Sequence, residues 1–221
     1  MKVQQLVGRI RERGMIAVAT KLWRDRIFGH KHFFVMTRLL DGERKAPPPQ
    51  AWAPQFISVA SAKDLPELGG WLAHRRGDFE RLLARGSKGY MALKDGVALG
   101  CVWYAPCDTF EESLGVDIPV RAGEAYFYGL LIDPQQRRVG LGAKLSHHAL
   151  QDMAERGFDS LFTYCEISNL DSFRIMSWLG FKCPGTMIRT TRLLGRTVLS
   201  CEVPAILEHP EGWRAPRRVL A

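Results

Sequence analysis

The stretch Tyr126-Phe127-Tyr128-Gly129-Leu130-Leu131-Ile132-Asp133-Pro134-Gln135-Gln136-Arg137-Arg138-Val139-Gly140-Leu141-Gly142-Ala143-Lys144-Leu145 decides the fold of this 221-residue chain. Its first seven residues are an unbroken aromatic and aliphatic run, the pattern of a strand buried on both faces. Asp133-Pro134 ends the run, a turn rich in donors follows, and a helix begins at about Gly140. Gly140 and Gly142 remove side chains that would block approach to the backbone, so the first-turn N–H groups from Val139 to Ala143 can point at an anion. Arg137 and Arg138 add charge beside them. A pyrophosphate is the natural guest, since orphan N–H groups and the helix dipole act within the first turn at ~0.3–1 kcal/mol per charge.

Outward from this segment the two hydrophobic periods alternate. Upstream, Phe56-Ile57-Ser58-Val59 is a short strand, and Leu65, Leu68, Leu72, Phe79, Leu82 and Leu83 suggest two short helices split at Gly77. Residues 90–93 and 97–103 flank Lys94-Asp95-Gly96, and Asp-Gly between apolar runs signals an antiparallel hairpin. Residues 105–123 read as a long loop or lid. The quoted strand spans 125–132 and its helix 140–156; a strand at 161–166, a helix at 171–179 and two strands at 185–193 and 196–203 follow. The fold class is therefore α/β or α+β, one sheet with flanking helices.

A G-x-G alone admits several nucleotide sites. A P-loop needs a following Lys-Ser/Thr, which is absent, and a Rossmann fingerprint needs a third glycine where Leu145 stands. Arg137-x-x-Gly140-x-Gly142 directly after a strand resembles instead the acyl-coenzyme A loop of the GNAT N-acetyltransferases, and Asn169-x-x-Ser172 followed by Trp178-Leu179-Gly180-Phe181 resembles that family's second block. The resemblance covers residues 56–203. It implies a mostly antiparallel sheet with a V-shaped splay between two parallel strands, at 125–133 and 160–166, and acetyl-CoA or another acyl-CoA as cosubstrate. Leu130, Leu131 and Ile132 would offer backbone to the pantetheine arm, Arg137, Arg138, Val139, Gly140, Leu141, Gly142 and Ala143 would hold the pyrophosphate, and Asn169 and Ser172 would complete the site. Gly129 is where a bulge would start the splay.

The implied reaction is N-acyl transfer to a primary amine of a small polar molecule. It needs a base, a donor for the developing oxyanion and a proton for the leaving thiolate. Glu166 and Glu124, at the ends of the two splaying strands, are the candidate bases, with Tyr128, on the same strand face as Tyr126, able to orient the amine or relay a proton. The family often has a Tyr seven residues after the Asn; here that position is Met176, leaving Tyr164, Ser172, Ser177 or water. Asp108, Glu111, Glu112 and Asp117 make the lid acidic and attractive to a cationic amine. Longer acyl donors, an acyl carrier protein, or an inactive acyl-CoA-binding module stay open as alternatives.

The formal charge is +8, but residues 1–31 alone hold eight Lys/Arg against Glu12 and Asp25. A globally basic, sequence-specific nucleic-acid binder is disfavoured. Val3, Leu6, Val7, Ile10, Val18, Leu22 and Trp23 recur at helical intervals, which suggests a basic amphipathic arm over 1–40 that docks on the domain, on a partner subunit of a homodimer, on an acidic partner, or on an anionic membrane. Pro47-Pro48-Pro49 suits a linker over 41–55, ahead of a domain at 56–205 and a tail at 206–221. Five cysteines without C-x-x-C fit a reducing cytoplasm, and no metal is expected.

Overall fold

The computed structural model describes residues 28–40, 53–111, 114–137, 140–185, 187–193 and 196–202. Arg138, Val139 and Glu112, the basic segment 1–27, residues 41–52 of the linker and the tail lie outside these residues.

Eleven strands and three α-helices are described. The strands are β1 (Phe28–Leu39), β2 (Gln55–Val59), β3 (Glu67–Leu68), β4 (Lys88–Lys94), β5 (Val97–Ala105), β6 (Thr109–Glu111), β7 (Val116–Ile118), β8 (Glu124–Ile132), β9 (Ser160–Glu166), β10 (Met187–Leu193) and β11 (Arg196–Glu202). The helices are α1 (Arg76–Ala84), α2 (Leu141–Glu155) and α3 (Leu170–Trp178). The main sheet runs β11-β10-β1-β9-β8-β5-β4-β2, with β3 beside β5, and β6 and β7 form a separate hairpin. Apart from β3 on β5, its strands pair antiparallel except β8 with β9.

The Asp-Gly hairpin forms as its residue types require: Asp95 and Gly96 have φ of 53° and 81°, the two positive values of a tight turn that matches strand twist. One sheet face packs under α2 and α3, with Phe127, Leu141, Leu145, Leu150 and Met176 among the buried residues. The other face is covered in two parts. Leu72, Phe79 and Leu83 lie over Met91 and Trp103, while Leu114, Val116 and Ile118 lie over Tyr126, Phe33 and Val35.

Three expectations need correction. Residues 28–39, assigned to a helical arm, form a strand of the domain itself, between β9 and β10. Phe33-Phe34-Val35-Met36 is strand-prone and is buried from both sides, as a central strand demands. The sheet thus begins well before residue 56. Residues 62–84 are not two helices split at Gly77 but two short 3-10 turns around β3, the second running into α1, which contains Gly77. The lid is structured: β6 and β7 pair antiparallel, and the alternation of buried Val116 and Ile118 with exposed Asp117 gives the hairpin its inner face.

No helix among the described residues is long and apolar enough to cross a membrane.

Candidate active site

β8 and β9 pair in parallel over only three positions, Glu124 with Ser160, Ala125 with Leu161 and Tyr126 with Phe162. Beyond Tyr126, β8 continues to Ile132 with β5 as its partner, and β9 continues to Glu166 with β1. The strands therefore part like a V. The local cause is a bulge. Gly129 has φ of 64°, and the β5–β8 register shifts between Cys101 and Trp103, so that two β8 residues oppose one on β5. A Cβ at Gly129 would also meet Trp103 Cδ1 at 3.2 Å.

A cavity of about 280 Å³ fills the splay. Tyr126, Tyr128, Gly129 and Leu130 line it from β8, Thr163, Tyr164 and Cys165 from β9, Asn169, Ser172 and Met176 from the start and body of α3, and Glu111 from β6. Because strand side chains alternate, Tyr126, Tyr128 and Tyr164 belong to the face under the β6–β7 hairpin and Cys165 to the face under α3. The cavity therefore passes through the sheet and joins its two faces.

At the wide end of the V, Asp133 caps the turn by accepting from the Gln135 N–H at 2.8 Å. Gly140 takes the left-handed conformation with φ of 81° and starts α2. Gly142 is buried against β8; a Cβ there would meet Ile132 Cγ1 at 3.3 Å, so this glycine sets how closely helix and strand approach. Arg137 donates from Nε to the Ile132 carbonyl at 3.3 Å, which folds it over the end of β8. Leu141 is buried in the core, while Ala143 is half-buried in the same first turn.

The expected site residues divide accordingly. Tyr128, Leu130, Asn169 and Ser172 meet at the cavity. Leu131 turns to the α1 side and Ile132 to the α2 side. Asn169 caps α3, its side chain accepting from the Ser172 N–H at 3.2 Å. The two candidate bases do not reach the cavity. Glu124 is at the closed end of the V, paired with Ser160. Glu166 sits 3.8 Å from Lys31 Nζ and accepts from the Ser168 hydroxyl at 2.9 Å.

Glu111 is the carboxylate that does line the cavity, and sequence reasoning placed it only as one acid among several in a lid. The alternation around Gly115 could have marked the hairpin, though not the contact with β8. Glu111 Oε2 accepts from the Tyr126 hydroxyl at 3.2 Å. Burial, and after it the Glu111 charge, pushes the Tyr126 phenol well above its ordinary range. Burial likewise pushes Tyr128 up to about 12, against the Ser87 hydroxyl that shares a 2.7 Å hydrogen bond with it. The Cys165 thiol is pushed up to about 11, first by burial and then by Glu166.

Comparison with known proteins agrees with this geometry. A GCN5-related N-acetyltransferase from Kribbella flavida has a similar fold, with a TM-score of 0.50 at 15% identity over 81% of this chain and 64% of that one. The mycothiol acetyltransferase of Thermobispora bispora is 28% identical over 135 residues, 60% of this chain and 42% of that protein. The mycothiol acetyltransferase of Frankia casuarinae is 30% identical over 138 residues, 60% of this chain and 38% of that protein. The chain spans about two-fifths of the length of these curated relatives. The profile of the acetyltransferase (GNAT) family matches residues 50–181, more than half of the sequence, and with the splayed strands and the glycine turn in place the chain belongs to that family.

Proposed function

We propose that the protein is an N-acetyltransferase that moves an acetyl group from acetyl-CoA to a primary amine of a small molecule by direct attack, with both substrates bound. The observation that carries this reading is the parting of β8 from β9 after Tyr126 and Phe162, opposite the glycine turn at Gly140. A thioester arm laid in the V finds a β8 edge that has no strand partner on the β9 side, and the pyrophosphate finds the first turn of α2.

In this reading the β8 backbone around Gly129 and Leu130 supplies the N–H donor for the carbonyl oxygen as negative charge develops there. Arg137 and the turn from Gly140 to Ala143 hold the phosphates. Leu130, Leu131 and Ile132 orient the arm through their backbone. Ser172, on the α3 side of the cavity, is the hydroxyl-bearing residue suited to give the leaving thiolate its proton, since Met176 has none to give. Transfer through an acyl-cysteine is disfavoured, because Cys165, the cysteine at the cavity, holds its proton up to about 11. The proposed setting is a reducing cytoplasm, on the argument that the five cysteines are odd in number and that Cys101, Cys107, Cys165 and Cys183 are free thiols.

Titration calorimetry with acetyl-CoA tests the reading, followed by mass spectrometry of any ligand that co-purifies. Saturable binding with one site per chain is the expected result. A chain that binds neither acetyl-CoA nor CoA does not take its acyl group from acetyl-CoA, and this reading fails.

A further inference from the structure

We propose that Glu111 is the residue that binds and deprotonates the acceptor, and that the acceptor is an unhindered primary ammonium carried on an apolar or aromatic body. This rests on the acyl-transfer reading above. The cavity has two sides. Asn169, Ser172 and Met176 border it on the α3 side, where the thioester would lie, while Glu111 borders it with the tyrosines on the side of the β6–β7 hairpin. An acceptor that meets the thioester from the opposite face must pass Glu111.

Glu111 is also held for the task. The Tyr126 hydroxyl donates to Oε2 and, being kept protonated by burial, stays a donor across neutral pH. This bond fixes one carboxylate oxygen at the border of the cavity. Glu166, beside Lys31, and Glu124, at the closed end of the V, are not among the residues that line the cavity.

The walls select the rest of the molecule. Tyr126 and Tyr128 stack with centroids 4.8 Å apart, and Tyr164 lies 5.4 Å from Tyr126. The Tyr126 ring is buried between Tyr128 and Phe162, and the Tyr128 hydroxyl is engaged by Ser87, so what this wall offers an acceptor is mainly the carbon of Tyr128 and Tyr164, which suits an apolar body. A cavity of about 280 Å³ must also take the acyl end of the donor, which favours a slim CH₂-NH₃⁺ terminus over a crowded amine.

The step balances as follows. Glu111 takes one proton from the ammonium, and the freed lone pair forms the C–N bond to the thioester carbonyl carbon. The C–S bond breaks, its electron pair leaves on sulfur, and the second N–H proton passes to the thiolate. Glu111 then returns its proton to solvent, so the products are the amide, CoA-SH and H⁺.

The test uses the full chain with acetyl-CoA and two probes, phenethylamine and glucosamine, comparing wild type with Glu111→Gln and Glu111→Asp. The wild type should acetylate phenethylamine with kcat/KM at least about tenfold above that for glucosamine. Glu111→Gln should lower kcat/KM for phenethylamine by about 10²–10⁴ and move the rising limb of its pH profile to alkaline pH, with acetyl-CoA affinity unchanged; Glu111→Asp should restore part of the rate. Full activity of Glu111→Gln with an unchanged pH profile overturns the base assignment. Loss of acetyl-CoA binding in that variant also overturns it, since the role would then be architectural. Preference for glucosamine, or no acetylation of phenethylamine, overturns the acceptor class. A wild type that binds no acetyl-CoA brings down the acetyl-CoA reading of the proposed function instead.

Discussion

Phe33 of β1 lies opposite Glu166 of β9, and in the same register Phe34 faces Cys165 and Val35 faces Tyr164. The N-terminal strand is thus bonded along the whole arm of the V that carries the β9 side of the cavity. On its other edge it holds β10, and Thr37 exchanges two backbone bonds with Lys182 just after α3. The strand that frames the β9 wall of the cavity comes from outside the region matched by the family profile.

A first prediction follows for truncation. Phe33, Val35, Met36 and Leu40 are all buried, and full burial of such side chains is worth ~1.5–3 kcal/mol each, against a net stability of ~5–15 kcal/mol for a whole domain. A 41–221 fragment should show no cooperative thermal transition by circular dichroism, whereas a 28–221 fragment should keep both the transition and acetyl-CoA affinity. Met36→Ala alone should cost ~2–5 kcal/mol in urea unfolding. A stable, CoA-binding 41–221 fragment would show that β1 only decorates the sheet.

The two sides of the glycine turn should separate in their effects. Gly142→Val places branched carbon against Ile132, so α2 must move off β8; it should lose ~1–3 kcal/mol of stability and weaken acetyl-CoA binding together. Arg137→Ala touches only the exposed rim and should leave the melting temperature in place while weakening binding by ~0.3–1 kcal/mol, about two- to fivefold. Equal affinity in both variants, by calorimetry, would remove the turn from the binding site.

Tyr128 gives a prediction with a sign. Its phenol is raised to about 12, so below the ordinary tyrosine value of about 10 it is neutral in both folded and unfolded chains. The raised value makes the folded state hold its proton more tightly. Its contribution is therefore fully present below about pH 10 and is lost as pH rises toward 12. Tyr128→Phe should flatten that alkaline fall in stability and leave the kcat profile between about pH 6 and 9 unchanged in shape. A pKa that vanishes from the neutral limb of the profile would instead make Tyr128 the titrating base.

What could be read from the chain was whatever local chemistry decides. The strand, Asp-Pro stop and glycine turn at 126–142, the Asp95-Gly96 hairpin and the helix-stopping Gly157 and Gly180 each carry their own instruction, and each element forms within a residue or two of its expected place. β1 was hidden because the helical period of residues 3–28 runs up to it, and the partners that make Phe33–Met36 a strand are β9 and β10, far along the chain. The same holds for the site. Glu166 reads as the end of a cleft strand until Lys31 is seen beside it, and Glu111 reads as a lid acid until the hairpin folds onto Tyr126.

The last prediction concerns the missing acid. Met176 is buried among the α3 core residues yet lines the cavity one helical turn beyond Ser172, so a side chain there reaches both core and cavity. Met176→Tyr should keep acetyl-CoA binding and leave kcat equal or higher, because a phenol at this position can protonate the departing thiolate. The larger ring should cost ~1–3 kcal/mol of stability if the surrounding core does not yield, so turnover must be measured well below the melting temperature. Glu166→Gln is the matched control: it removes a half-exposed pair with Lys31, worth ~0–1 kcal/mol, and should change neither kcat nor its pH profile. If Met176→Tyr abolishes acetyl-CoA binding while the protein stays folded, residue 176 seals the cavity and cannot stand where an acid is needed; if Glu166→Gln lowers kcat with affinity intact, the base lies on β9 and the opening of the site must extend past Lys31.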